Sequence, residues 1–121
     1  MARARRRRKP ILVPTVVAGE AYTKLRCDKR VSPRRDAGPA LALLAMIDSS
    51  PDAFALVAAP DGAHARAHQL LQRYSDQLFS YVDAVVFVSV ESDASIDTVL
   101  TVDARDFQAF PFSRVVAVDA P

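Results

Sequence analysis

The chain has one cysteine, three glycines and no tryptophan in 121 residues, and each scarcity removes a class of function. A lone Cys27 excludes an intramolecular disulfide and leaves no dithiol for redox exchange, which fits a reducing compartment. With so few glycines there is no G-x-G-x-x-G and no P-loop, so the phosphate-cradling loops of nucleotide-binding folds have no support. No serine stands in a G-x-S-x-G elbow, which removes the usual hydrolase nucleophile. The longest apolar segments, Ala40 to Ile47 and Val82 to Val90, fall well short of the ~20 residues of a membrane helix. The chain therefore reads as soluble and cytoplasmic, with no membrane partner. Its basic start followed by Ile11-Leu-Val-Pro-Thr-Val-Val-Ala-Gly19 has the outline of a signal peptide, but Pro14 interrupts the apolar stretch and no cysteine-rich body follows.

Half of the residues are apolar, enough at this length to close one hydrophobic core and hardly two. A single domain over residues 10–121 is expected, preceded by a basic arm over residues 1–9. The formal charge of +2 hides an asymmetry. Arg3, Arg5, Arg6, Arg7, Arg8 and Lys9 hold six of the 16 basic residues, which leaves ten against 14 acids over the rest and a body of charge −4. A cluster of like charges ahead of any periodic pattern is a solvated, disordered arm, and Arg5 to Arg8 can attract an RNA phosphate backbone at low salt.

Along the body, Ile11-Leu-Val13 reads as a short buried strand ended by Pro14-Thr15, with Thr15 capping a helix whose face carries Val17, Ala21 and Leu25. Pro39 fits the first turn of a helix from Ala40 to Ile47, and Ser49 to Asp52 breaks the pattern before a strand from Phe54 to Ala58. Asp61 is placed to cap a helix through Tyr74 with Ala67, Leu70, Leu71 and Tyr74 on its apolar side. A helix from Tyr81 to Glu91 follows, then a strand from Thr98 to Val102, a turn at Asp103 to Phe107 and a strand from Arg114 to Val118. The alternation of strands and helices argues for an α/β fold with a mostly parallel sheet covered on both faces.

Three carboxylates carry the chemistry. Asp83 opens a nearly all-apolar helix, where a carboxylate is costly unless paired or metal-bound, although it also suits the positive end of a helix dipole. Asp103 directly follows a β-branched run, where open α/β sheets place ligand-binding residues, although aspartate also starts turns. Glu20 shares a broad helix face with Val16, Val17 and Leu25, which turns it toward the core edge, although glutamate is also a good former of solvated helix. Converging carboxylates repel by about 1 kcal/mol per pair even in high dielectric. A divalent cation relieves that repulsion, and all-oxygen ligands favour Mg2+ or Mn2+. His64 and His68 stand at the i, i+4 spacing of a zinc helix, but Ala65 occupies the place of the glutamate that a metalloprotease motif needs.

The order Ser80-Tyr-Val-Asp-Ala-Val-Val-Phe-Val-Ser-Val-Glu91 followed by Thr98-Val-Leu-Thr-Val-Asp-Ala-Arg-Asp-Phe107 resembles the C-terminal half of a PIN domain, the metal-dependent nuclease fold of VapC-type toxins. Ile11-Leu-Val-Pro-Thr-Val-Val-Ala-Gly-Glu-Ala-Tyr22 is similar to that family's apolar strand, Pro-Thr and acid-bearing helix, so the likeness spans residues 10–121. It implies a three-layer α/β/α fold with a mostly parallel central sheet. Glu20, Asp83 and Asp103 then correspond to three metal-binding and catalytic acids, Thr101 to the polar residue beside the last, and Asp106 to an accessory acid. The resemblance further implies an Mg2+- or Mn2+-dependent endoribonuclease that hydrolyses RNA phosphodiester bonds, with a VapB-like antitoxin and a second copy of the chain as partners.

The family's first strand, which is central in its sheet and ends in an aspartate, has no counterpart before Glu20. An N-terminally shortened domain is therefore expected, in which the flanking strands each show an unpaired edge and the arginine arm is sequence from an early start. The alternative is a catalytically inactive PIN remnant that binds antitoxin or RNA. A third reading is an α/β domain with a single structural or phospho-acceptor aspartate.

Overall fold

The computed structural model describes residues 9–30, 33, 34, 36–101 and 116–119. Contacts divide the chain into two compact units that meet between Ala59 and Pro60. The first holds strand β1 (Ile11–Pro14), helix α1 (Thr15–Cys27), helix α2 (Gly38–Ser49) and strand β2 (Phe54–Val57). The second holds helix α3 (Ala63–Arg73), helix α4 (Tyr81–Ser92), strand β3 (Thr98–Thr101) and strand β4 (Val116–Asp119). The chain is thus α/β, and no described helix is long and apolar enough to cross a membrane.

In the first unit β1 pairs in parallel with β2, Ile11 opposite Phe54 and Pro14 opposite Val57. Parallel neighbours need a crossover, here the α1–α2 hairpin, whose helices pack on each other and on the strands. Thr15 does not cap α1. Pro14 takes that place with extended backbone while it is still paired in β1, and Thr15 is already helical, so no side chain is free to cap. Helix α2 begins two residues earlier than the Pro39 signal suggests, because Asp36 Oδ1 accepts from the Gly38 N–H at 3.0 Å and satisfies one orphan donor of the first turn.

Ile11 and Leu12 are 47 % and 42 % exposed, which corrects the expectation of a buried strand. Among the described residues β1 pairs only with β2, and a two-stranded sheet cannot enclose both faces of an apolar strand. The buried positions of this unit are Ala18 on α1, with Ala40 and Ile47 on α2.

The second unit has the larger core. Ala63, Ala67 and Leu70 recur at i, i+4 and i+7 on α3 and are buried, with Leu71 and Tyr74 half-buried beside them. Helix α4 buries Ala84, Val85, Phe87, Val88 and Val90, a face broad enough to hold a sequence of poor helix propensity in helical form. The α3–α4 pair packs directly. Small residues such as Ala67, fully buried, let the two backbones approach. Phe87 is completely buried, with the Phe79 ring edge-on at 4.9 Å between centroids.

The start of α3 departs from expectation. Ala63 N–H donates to Pro60 O at 3.0 Å, closing a turn that puts Gly62 at φ 74° in the capping position, so Asp61 falls outside the helix. A side chain is strained at that φ, which is why glycine stands there. Strand β3 pairs in parallel with β4, Thr98 opposite Val116 and Thr101 opposite Asp119. The expected strand ends at Val102, and the turn from Asp103 to Phe107, lie outside the described residues.

Arg66 on α3 spans to Glu91 on α4 with two charge-assisted bonds of 2.8 Å, Nε to Oε1 and Nη2 to Oε2. The Arg66 bonds hold the Glu91 carboxyl below its ordinary pKa, partial burial opposing them. A lowered folded-state pKa means the pair contributes fully above the unfolded value of about 4.3 and is lost as pH falls through the folded value.

Phe87→Ala is expected to lower the unfolding free energy by about 3–5 kcal/mol in urea titration, a large-to-small change at a fully buried site. Glu91→Gln should cost about 1 kcal/mol or less at neutral pH, with the difference from the parent chain shrinking as pH falls below about 4.

Candidate functional site

The candidate residues stand on α1 in the first unit, and in the first turn of α4 and at the carboxyl end of β3 in the second. Helix α4 starts where it does because Ser80 caps it. Ser80 Oγ accepts from the Asp83 N–H at 3.0 Å, and Asp83 Oδ2 accepts from the Ser80 N–H at 2.9 Å, a reciprocal capping box. This pins the Asp83 carboxylate at the positive end of the helix, half-buried beside the α4 core. One oxygen is committed to the cap. Oδ1 carries no hydrogen bond among the described residues, so a single lone-pair face remains for a ligand.

Glu20 sits in α1 with its side chain exposed, while Ala18 is the position that α1 buries. Two residues apart, Ala18 and Glu20 lie about 200° apart around the helix, so the inward side is nearly opposite Glu20, and the anticipated turn of this carboxylate toward the core edge is not seen. Glu20 belongs to the first unit and Asp83 to the second. Thr101 is the last residue of β3, at the strand's carboxyl end, opposite Asp119 in the ladder. Asp103 follows two positions later. Asp103, Asp106 and Arg5 to Arg8 lie outside the described residues.

Among the described residues no three of histidine, cysteine, aspartate and glutamate are gathered in a metal-binding group. The donors that are described, two carboxylates and no thiolate, match a hard divalent cation in kind. Their chemistry fits; Asp83 alone has both partial burial and a spare oxygen.

A second polar group on the same helix pair was only half visible in the sequence. His64 and His68 on α3 have ring centroids 6.4 Å apart, and His64 Nδ1 lies 3.0 Å from the Tyr81 hydroxyl at the start of α4. Tyr81 is 17 residues from His64, and nothing local in the chain links the two. The Arg66–Glu91 pair was missed for the same reason, its partners standing 25 residues apart. Comparison with protein-family models, with curated proteins and with solved structures finds no match.

Ser80→Ala is expected to lower the unfolding free energy by about 1 kcal/mol, the usual cost of a lost N-cap. Asp83→Asn keeps an oxygen for the Ser80 N–H and loses only the charge at the helix start, about 0.3–1 kcal/mol. Urea titration of both variants checks the order. A larger loss from Asp83→Asn would contradict the capping geometry as the main structural role of this side chain.

Proposed function

We propose that the chain is a PIN-like, metal-dependent endoribonuclease of the VapC type, with Glu20, Asp83 and Asp103 as its metal-binding acids. The reading rests on the position of Asp83 in the fold and of Asp103 in the sequence. Asp83 stands in the first turn of α4 with an oxygen left over from its capping box, and Asp103 follows the carboxyl end of β3 by two residues. Carboxyl ends of parallel strands are where open α/β folds bind ligands, and both described strand pairs are parallel. The element order supports the same reading: a strand, Pro-Thr, an acid-bearing helix, a second helix and strand, then the α3–α4 pair and β3.

In this reading the two described parallel pairs, β1 with β2 and β3 with β4, belong to the strand layer of a three-layer α/β/α fold. The half-exposed Ile11 and Leu12 of β1 accord with the expectation that a strand flanking the family's missing first strand lacks its neighbour.

When bound, Mg2+ or Mn2+ would activate water for in-line attack on an RNA phosphodiester and stabilise charge on the phosphoryl oxygens. Asp83 would supply Oδ1, with its position set by Ser80. Thr101 would stand beside Asp103, Asp106 would assist, and Arg5 to Arg8 would add backbone affinity that falls with salt. A VapB-like antitoxin and a second copy of the chain are the partners proposed on the resemblance.

One observation favours a second reading, a catalytically silent module that binds antitoxin or RNA. The family's first strand and its aspartate have no counterpart before Glu20, and if β1 is taken as that strand instead it ends in Pro14, so either way one ligand is missing from the acid set, and metal affinity follows ligand charge.

The test is cleavage of a labelled structured RNA by the purified chain, with Mg2+ or Mn2+ against chelator. The nuclease reading expects cleavage that requires metal and disappears in Asp103→Asn and Asp83→Asn but persists in Ser80→Ala at a temperature where that variant is folded. Cleavage by folded Asp103→Asn would overturn it, and metal-independent binding without cleavage would favour the silent module.

A further inference from the structure

We propose that His64 and His68, with Tyr81 orienting the first of them, form a binding site for a borderline divalent transition ion such as Zn2+, Ni2+ or Cu2+. The two imidazoles are one helical turn apart on the same side of α3, both exposed, with their rings tilted 43° and centroids 6.4 Å apart. Two imidazoles on one tetrahedral ion, at metal–nitrogen distances of about 2.0–2.1 Å, put their centroids about 5 Å apart. Closing that difference takes side-chain rotation of two exposed residues and no movement of backbone.

Tyr81 distinguishes this pair from two histidines that merely share a face. Its hydroxyl lies 3.0 Å from His64 Nδ1, and its ring is 5.8 Å from the His64 ring. An ion on Nε2 requires the tautomer with its proton on Nδ1, and the Tyr81 oxygen is placed to accept that proton's hydrogen bond. Metal-bound histidines are typically fixed through their other ring nitrogen in this way. Because Tyr81 opens α4, the contact also ties the candidate site to the packed helix pair rather than to α3 alone. Arg66, between the two histidines in sequence, is held by Glu91 with two bonds of 2.8 Å, which fixes its cation on that carboxylate.

Neutral nitrogen donors select the later first-row divalent ions and Zn2+ over Mg2+ and Mn2+. The site is therefore separate in residues and in ion from the carboxylate set of the nuclease reading, and neither depends on the other. Two protein nitrogens leave coordination positions open to water or to an exogenous ligand.

Isothermal titration of the full chain with ZnCl2, and separately with NiCl2, tests the proposal. One equivalent is expected to bind. His64→Ala and His68→Ala should each weaken binding by at least tenfold, Tyr81→Phe by about tenfold, and Cys27→Ser should leave it unchanged. Circular dichroism shows whether each variant keeps its helices. A lack of saturable binding by the parent chain, or undiminished binding by the folded double variant His64→Ala/His68→Ala, would overturn the site. Unchanged affinity in Tyr81→Phe would overturn the positioning role. MgCl2 titration of Asp83→Asn tests the carboxylate set by itself, so failure of one reading is distinguishable from failure of the other.

Discussion

The packing of α3 against α4 is the constraint on which the functional geometry of the second unit rests. Ala63, Ala67 and Leu70 are buried on one helix and Ala84, Val85, Phe87, Val88 and Val90 on the other, and Phe87 is the large side chain fully removed from water among the described residues. A helix as rich in valine as α4 has weak intrinsic propensity, so burial and the Ser80 cap together hold it. Three polar features of the unit are referenced to that pair. Asp83 is aimed by the cap, Glu91 reaches Arg66 across the helices, and Tyr81 reaches His64.

A carboxylate in a capping box is often read as having a structural role and nothing more. Here the box uses one oxygen of Asp83 and orients the other, so in the proposed nuclease the feature that explains the residue in folding terms would also position it as a ligand. Preorganisation of this kind costs the site nothing extra, because the helix needs the bond whether or not an ion is present.

The elements themselves were largely legible. Strand, helix, helix, strand, two helices and strand follow from periodicity and from Pro39, which marks the real start of α2 within two residues. What was misread involved competition between neighbouring residues for one position. Pro14 stays in the ladder and displaces Thr15 from the cap, and Gly62 adopts a left-handed turn that displaces Asp61. Exposure was harder still. Ile11-Leu-Val13 is apolar on both faces and reads as buried, yet burial depends on which strands lie beside it, and that is not written in the segment. The place of Asp83 in the first turn of a helix was legible from the sequence. The Tyr81 and Glu91 contacts join residues 17 and 25 apart and become visible only once the helices are packed.

The central claim is that the free oxygen of Asp83 and the carboxylate of Asp103 hold one metal site. A crystal structure of the chain grown with Mn2+, with the ion located by anomalous scattering, tests it most directly. The account predicts Mn2+ bound by Asp83 Oδ1 and Asp103, with Oδ2 still accepting from the Ser80 N–H. An occupied Mn2+ site that excludes both aspartates, or an Asp103 carboxylate turned away from Asp83 in a saturated crystal, would contradict it.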